Sequence, residues 1–278
     1  MYTLNCRGRL LNLSKPVIMG ILNLTPDSFF SGSRVADEKQ LISRAAEMIS
    51  EGAEILDIGG QSTRPGSEFL SAAEEWERLA PVLEKICTAF PETIISIDTF
   101  HHEVAMRAVS AGAGMVNDIS GGQLDPAMLV TVGALNVPYV CMHSRGTPQT
   151  MTGLTSYNDL VPDVTDYFIE RIAACRAAGI KDIILDPGFG FAKTTKQNFD
   201  LLRQMDSFQI LGFPLLLGIS RKGMIWKTLN SSPDQALNGT TVLNTIGLCK
   251  GASLLRVHDV APAREAIQLW ETLNGNAY

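Results

Sequence analysis

"ISEGAEILDIGG" (49–60) closes a helical pattern on a glycine, follows it with a short apolar run, and ends that run on polar and small residues. The same phrase returns as "VSAGAGMVNDIS" (109–120), "RAAGIKDIILDPG" (176–188) and "LCKGASLLRVHD" (248–259). The glycine suits the left-handed position that closes a helix. The apolar run reads as a strand buried on both faces, which is the pattern of a parallel sheet. Followed outward, this grammar predicts strands near 17–22, 54–58, 93–97, 114–118, 137–142, 182–186, 214–219 and 252–257. Helical patterns lie near 38–50, 72–89, 101–111, 126–135, 158–178, 196–208, 235–250 and 261–273. Ser71 and Glu74 stand at capping-box spacing, and Asp37 precedes the first helix. Eight strands alternating with eight helices, with no linker to divide 278 residues, predict an α/β fold. The expected form is a (β/α)8 TIM barrel in one domain, 1–278; an open doubly wound sheet is the alternative. Residues 1–15 read as a short hairpin capping the barrel bottom.

Composition sets the class. The chain is 45% hydrophobic and 19% charged, which gives ample core for a globular protein. A net charge of −6 argues against general binding to nucleic acid or anionic membranes, but leaves room for an anionic small substrate met by local basic residues. No signal-like apolar region follows Met1 and no run approaches a bilayer span, so a cytoplasmic protein is expected. Cys6, Cys87, Cys141, Cys175 and Cys249 are scattered without C-x-x-C spacing, and read as plain thiols.

In a (β/α)8 barrel, chemistry sits at the C-terminal ends of the strands. Here those ends carry Asn23, Asp57, Asp98, Asn117 with Asp118, His143, Asp186, Ser220 with Arg221 and Lys222, and Arg256 with His258. Any one of them could be a helix cap or a solvated rim, and for Asp57 and Asp118 that reading stands level with a functional one. All eight converging on one mouth points to a site. Asp98, Asn117 and Asp186 supply acceptors and an amide suited to the N–H edge of a flat, nitrogen-rich ring. Arg64, Lys193, Arg221, Lys222, Arg256 and His258 would attract a phosphate-bearing ligand. His143 reads equally as structural or functional. Zinc motifs are missing, whereas an oxygen donor such as Asn23, helped by substrate phosphate, would suit Mg²⁺. "DPGFGFAKT" (186–194) lacks the ending of a phosphate-binding loop and reads as a glycine-rich βα loop. Its Phe189 and Phe191 are either pocket walls or core.

"GILNLTPDSF", "ILDIGGQSTRPGS", "ISIDTF", "VNDISGG", "MHSRGTPQTM", "DPGFGFAKT", "GISRKGMI" and "LLRVHDV", in order along nearly the whole chain, resemble the dihydropteroate synthases. The resemblance implies Mg²⁺-dependent, homodimeric barrels of folate biosynthesis, the targets of sulfonamides. They condense 6-hydroxymethyl-7,8-dihydropterin pyrophosphate with p-aminobenzoate by an SN1-like displacement. It implies pterin binding by Asp98, Asn117, Met142, Asp186 and Lys222. Pyrophosphate would be held by Asn23, through the metal, and by Arg64, Arg256 and His258. The p-aminobenzoate pocket would use Phe29, Thr63, Pro65, Phe191, Ser220 and Lys222. Lys222, Arg256, His258 and Asp27 would carry the chemistry. One departure stands out: "PDSFFSGS" places Ser31 where the family commonly has a second carboxylate. Two rival readings are a methyltetrahydrofolate corrinoid methyltransferase-type barrel, which does not need "TPDSF", "STRPGS" or "SRKG", and a non-catalytic pterin-binding paralogue.

Overall fold

The computed structural model describes residues 2–24, 34–61 and 69–275, with backbone alone for 34–38. A two-stranded hairpin comes first, β1 (Thr3–Cys6) against β2 (Arg9–Asn12). Its two-residue turn, Arg7 and Gly8, has both φ values positive, 57° and 90°. That is the turn geometry whose twist matches paired strands.

Eight parallel strands then close into a barrel: β3 (Val17–Asn23), β4 (Ile55–Gly59), β5 (Ile94–Asp98), β6 (Met115–Asp118), β7 (Tyr139–Met142), β8 (Ile183–Asp186), β9 (Leu215–Leu217) and β10 (Ala252–Val257). β10 returns to pair with β3, Leu254 opposite Val17, so the sheet has no free edge. Each lies within about two residues of its expected position. The four phrase glycines, Gly52, Gly112, Gly179 and Gly251, all have positive φ, from 87° to 129°. Each ends a helix and turns the chain into a strand, as the repeated phrase requires.

Helices on the outside include Arg34–Ser50, Ala72–Ala89, His102–Ala111, Met128–Leu135, Leu160–Ala177, Thr195–Arg203, Leu237–Cys249 and Val260–Leu273. The expected capping box is present: Ser71 Oγ accepts from the Glu74 N–H at 3.3 Å, and Glu74 Oε2 accepts from the Ser71 N–H at 2.8 Å. Three details differ from expectation. The first helix starts at Arg34, so Asp37 lies inside it rather than before it. The pattern at 196–208 divides into an α-helix to Arg203 and a 3-10 turn over Met205–Leu211. A short helix, Gly223–Thr228, follows β9 where none was expected; six residues are too few for a hydrophobic period to show.

Side chains alternate in and out along each strand. The inward set nearest the N-terminal end is Met19, Ile55, Ile94, Met115, Val140, Ile184, Leu216 and Leu254, one from each strand. Leu4, Cys6, Leu11 and Leu13 of the hairpin segment pack on this floor, and the Asn5 N–H donates to Asp182 Oδ2 at 2.7 Å. The outward set, with Leu56, Ile95, Val116, Tyr139 and Leu185, joins the helices in the main core. No helix among the described residues is long and apolar enough to cross a membrane.

Candidate active site

Two residues beyond the floor, the inward positions change character. They hold Asp57, Ser96, Asn117, Met142, Asp186, Gly218 and Arg256. The next inward positions on β4, β5 and beyond β9 are Gly59, Asp98 and Ser220. The Cβ built on Gly59 would lie 3.3 Å from that of Asp98, and one on Gly218 would lie 3.7 Å from Asp186 Oδ2. Glycine at these inward positions leaves room beside the two carboxylates.

Arg256 is the centre of the mouth. Its Nε donates to Asp57 Oδ2 and its Nη2 to Asp98 Oδ2, each at 2.6 Å. Asn117 Nδ2 donates to the same Asp57 oxygen at 2.9 Å. Burial would lower the Arg256 pKa, but Asp57 and Asp98 outweigh it and hold the guanidinium more firmly charged than usual. Burial pushes Asp98 up to about 7 against the opposing pull of Arg256. Asp186 is raised for the same reason, opposed chiefly by Lys222. Asp186 Oδ1 also accepts from the Gly188 N–H at 2.8 Å.

Lys222 reaches this wall because of a backbone turn. Arg221 has φ 56°, a left-handed conformation that disfavours non-glycine residues. It is held there by two hydrogen bonds to Asp259, at 2.9 and 2.6 Å, and by its N–H to Thr240 Oγ1 at 3.1 Å. Lys222 then points inward, with Nζ donating to the Phe189 carbonyl and lying 4.8 Å from the centre of the Phe191 ring. Burial lowers its pKa to about 8, against the opposite pull of Asp186. His258 sits beside Ser220, whose Oγ accepts from the His258 backbone N–H at 3.2 Å and lies 3.0 Å from Nδ1. The hydroxyl can donate its own proton to Nδ1, and in that tautomer the imidazole N–H sits on Nε2. Burial, then Arg256, lowers His258 to about 4, so the ring is neutral near pH 7. An apolar wall completes the mouth: Met142 and Phe191 cluster with Phe100, Ile119, Met151 and Ala192.

The family model described as pterin binding enzyme matches residues 19–258. The dihydropteroate synthase of Synechocystis sp. is 44% identical over 259 residues, which cover 92% of this chain and 89% of that protein. The chain belongs to the dihydropteroate synthase family. Among solved structures, the Yersinia pestis dihydropteroate synthase in a sulfonamide drug complex superposes with a TM-score of 0.93 at 38% identity, covering 99% of this chain and 100% of that one. The Xanthomonas albilineans dihydropteroate synthase in complex with 7,8-dihydropteroate gives 0.88 at 37% identity, with 98% and 99% covered.

Against this dihydropteroate synthase frame, the mouth gathers Asp98, Asn117, Met142, Asp186, Phe191, Ser220, Lys222, Arg256 and His258. Asn23 stands half-buried at the end of β3, paired in register with Gly59. Asp27, Phe29, Ser31, Thr63, Arg64 and Pro65 lie outside the described residues. Two candidates are not there. Asp118 points outward, accepting from the Ser120 and Gly122 N–H groups at 2.7 and 2.8 Å and from the Tyr139 hydroxyl at 2.7 Å. It shapes a loop. Lys193 is no phosphate-facing cation either, since its Nζ is buried against His143 Nδ1, Gly188 O and Phe191 O at 2.9–3.1 Å. The contact ties His143 into the same buried cluster; burial, with Lys193 next, lowers its pKa to about 2. Arg221 is largely neutralised by Asp259. Phe189 is core, packed outside the barrel, whereas Phe191 is wall. Sequence reasoning missed Phe100 and Ile119 as walls and left Asp57 undecided. Counting the two-residue period upward from the floor picks out Asp57 directly.

Proposed function

We propose that this chain joins 6-hydroxymethyl-7,8-dihydropterin pyrophosphate to p-aminobenzoate, releasing pyrophosphate, by an SN1-like displacement. As a dihydropteroate synthase it is a transferase of folate biosynthesis. The observation that supports this substrate assignment is one buried wall of acceptors, Asp98, Asn117 and Asp186, with Lys222, Arg256 and His258 on the adjoining strand ends. Such a wall suits the N–H groups of a pterin, with Met142 against the ring face. Lys222, still largely protonated at neutral pH with a pKa near 8, donates to the ring's polar edge. Arg256 has Nη1 left for a pyrophosphate oxygen once Nε and Nη2 are engaged, and neutral His258 offers Nε2–H as a hydrogen-bond donor. Arg64 joins them in this reading. The C–O bond to pyrophosphate breaks, the amine nitrogen forms the C–N bond, and the new ammonium loses its proton. Phe29, Thr63, Pro65, Phe191, Ser220 and Lys222 form the proposed amine pocket, and Asp27 completes the catalytic set.

The donor set fits Mg²⁺. Asn23 contributes one neutral oxygen at the mouth, and among the described residues no group of three or more His, Cys, Asp or Glu could hold a metal. In this reading Asn23 and substrate phosphate would hold the ion, with waters completing its shell. When bound it would supply positive charge to the departing pyrophosphate. We also propose a homodimer through the helices Thr195–Arg203, Leu237–Cys249 and Val260–Leu273, where Leu237, Val242, Ile246, Leu269 and Leu273 are exposed.

Incubation with the pterin pyrophosphate and p-aminobenzoate tests the reading. Amine-dependent pyrophosphate release with formation of 7,8-dihydropteroate is expected, with loss of turnover in Lys222→Ala. Binding of the pterin without any amine-dependent release would instead support a non-catalytic paralogue.

A further inference from the structure

Asp57 is fully buried, beneath the Arg256 and Asn117 side chains that it holds. Its Oδ1 has no hydrogen-bond partner among the described residues; both of its side-chain contacts converge on Oδ2. One is the Arg256 Nε–H at 2.6 Å and the other the Asn117 amide at 2.9 Å. This second contact has a consequence for Asn117. A carboxylate paired with a guanidinium can only accept, so the amide must present its NH₂ to Asp57. Its carbonyl Oδ1 is thereby turned the other way, and it has no partner among the described residues. A free carboxamide is ambiguous, donor or acceptor according to a half-turn about its last torsion. In this setting the ambiguity is removed.

Resting on the pterin reading of this wall, we propose that Asp57 is a positioning residue that sets the polarity of Asn117. When Asp98 and Asp186 are ionised, this leaves the ring-reading wall acceptor-only: Asp98, Asn117 Oδ1 and Asp186. A wall of that kind selects rings whose edge carries N–H donors, as a 2-amino-4-oxopteridine does. It rejects the 2,4-dioxo analogue, which brings a carbonyl oxygen where the amino group was and so sets acceptor against acceptor. Sites built around a ligand's N–H or O–H discriminate strongly against analogues that lack it, because buried groups are left unpaired. Asp57 needs no contact with the ligand to have this effect. It acts by denying Asn117 its other orientation.

The probes are 6-hydroxymethylpterin and 6-hydroxymethyllumazine, its 2,4-dioxo counterpart, with dissociation constants measured by calorimetry. The unmodified protein should prefer the pterin by about a hundredfold or more. In Asp57→Asn, which keeps the size but can donate as well as accept, Asn117 can turn. The preference should then fall at least tenfold, beyond any common loss of affinity for both rings. If Asp57 were only a counter-ion for Arg256, both affinities would drop together and their ratio would stay. That result would overturn the proposal. Asn117→Ala separates this failure from failure of the underlying reading: unchanged pterin affinity in Asn117→Ala would mean that the ring binds elsewhere. Should Asp57→Asn not fold, the Asn117 side-chain amide resonances of the unmodified protein give the answer. They should keep their carboxylate-bonded shifts when the pterin binds. Loss of those shifts on binding would show an amide free to turn, and would equally sink the idea.

Discussion

The floor and the mouth of this barrel are made from the same strands, two residues apart, and are held together in opposite ways. On β8, Ile184 belongs to the apolar floor and Asp186 to the mouth; on β10, Leu254 and Arg256 divide in the same manner. The floor is closed by shape. Its aliphatic side chains and the hairpin exclude water, and apolar substitutions of similar volume are the ones it tolerates best. The mouth is closed by pairing. Asp57 and Asp98 are buried against a half-buried Arg256, and the two carboxylates tolerate burial because that cation is present. Glycines at Gly59 and Gly218 keep side chains off Asp98 and Asp186 there. Stability and chemistry are thus divided along one strand axis, which is how a single fold keeps a firm base under a reactive rim.

Removing the cation should break this division most visibly. Arg256→Ala leaves two buried carboxylates without their partner, which costs about 3–5 kcal/mol in urea unfolding. Turnover should fall about a hundred- to a thousandfold from the loss of a charged contact at the reacting end. A variant as stable as the parent would show that pairing does not hold the mouth.

The floor gives the converse case. Ile184→Ala should cost about 2–5 kcal/mol through the cavity it leaves. Its kcat/KM per folded molecule should stay within about twofold, because no floor residue meets substrate. A large catalytic defect with normal stability would mean that floor and mouth are not separable.

A subtler effect sharpens the contrast through pH. With burial pushing Asp98 to about 7, protonation below that value removes an acceptor and turns a donor toward the pterin's own N–H groups. Pterin affinity should therefore fall about tenfold from pH 8 to pH 6, the size expected when one needed ionisation is lost across a unit of pH. Asp98→Asn, uncharged throughout, should bind weakly and without that inflection. A flat profile in the unmodified protein would place ring recognition on groups that do not titrate there.

Much of this was legible in the residues themselves. The repeated helix–glycine–strand phrase determined the barrel and its strand positions, because burial on both faces leaves a recognisable apolar run and helix closure needs a left-handed residue. The polar residues ending the runs include most of the side chains that the barrel gathers at its mouth, Asp98, Asn117, Asp186, Lys222, Arg256 and His258 among them. What tertiary structure alone decided was direction and partnership. Asp57 and Asp118 look alike in sequence, each an acid near a strand end. The pleat sends Asp57 inward to Arg256 and Asn117, and Asp118 outward to a loop and Tyr139. Lys193 and Lys222 both read as cations at the mouth, yet Lys193 is spent on His143 and two carbonyls while Lys222 is turned in by the left-handed Arg221. The physical reason is common to all four. A residue's type and spacing are local, but which neighbour meets its charge depends on segments brought together by the barrel, 21 residues away for Asp118 and Tyr139, 50 for Lys193 and His143, and 199 for Asp57 and Arg256.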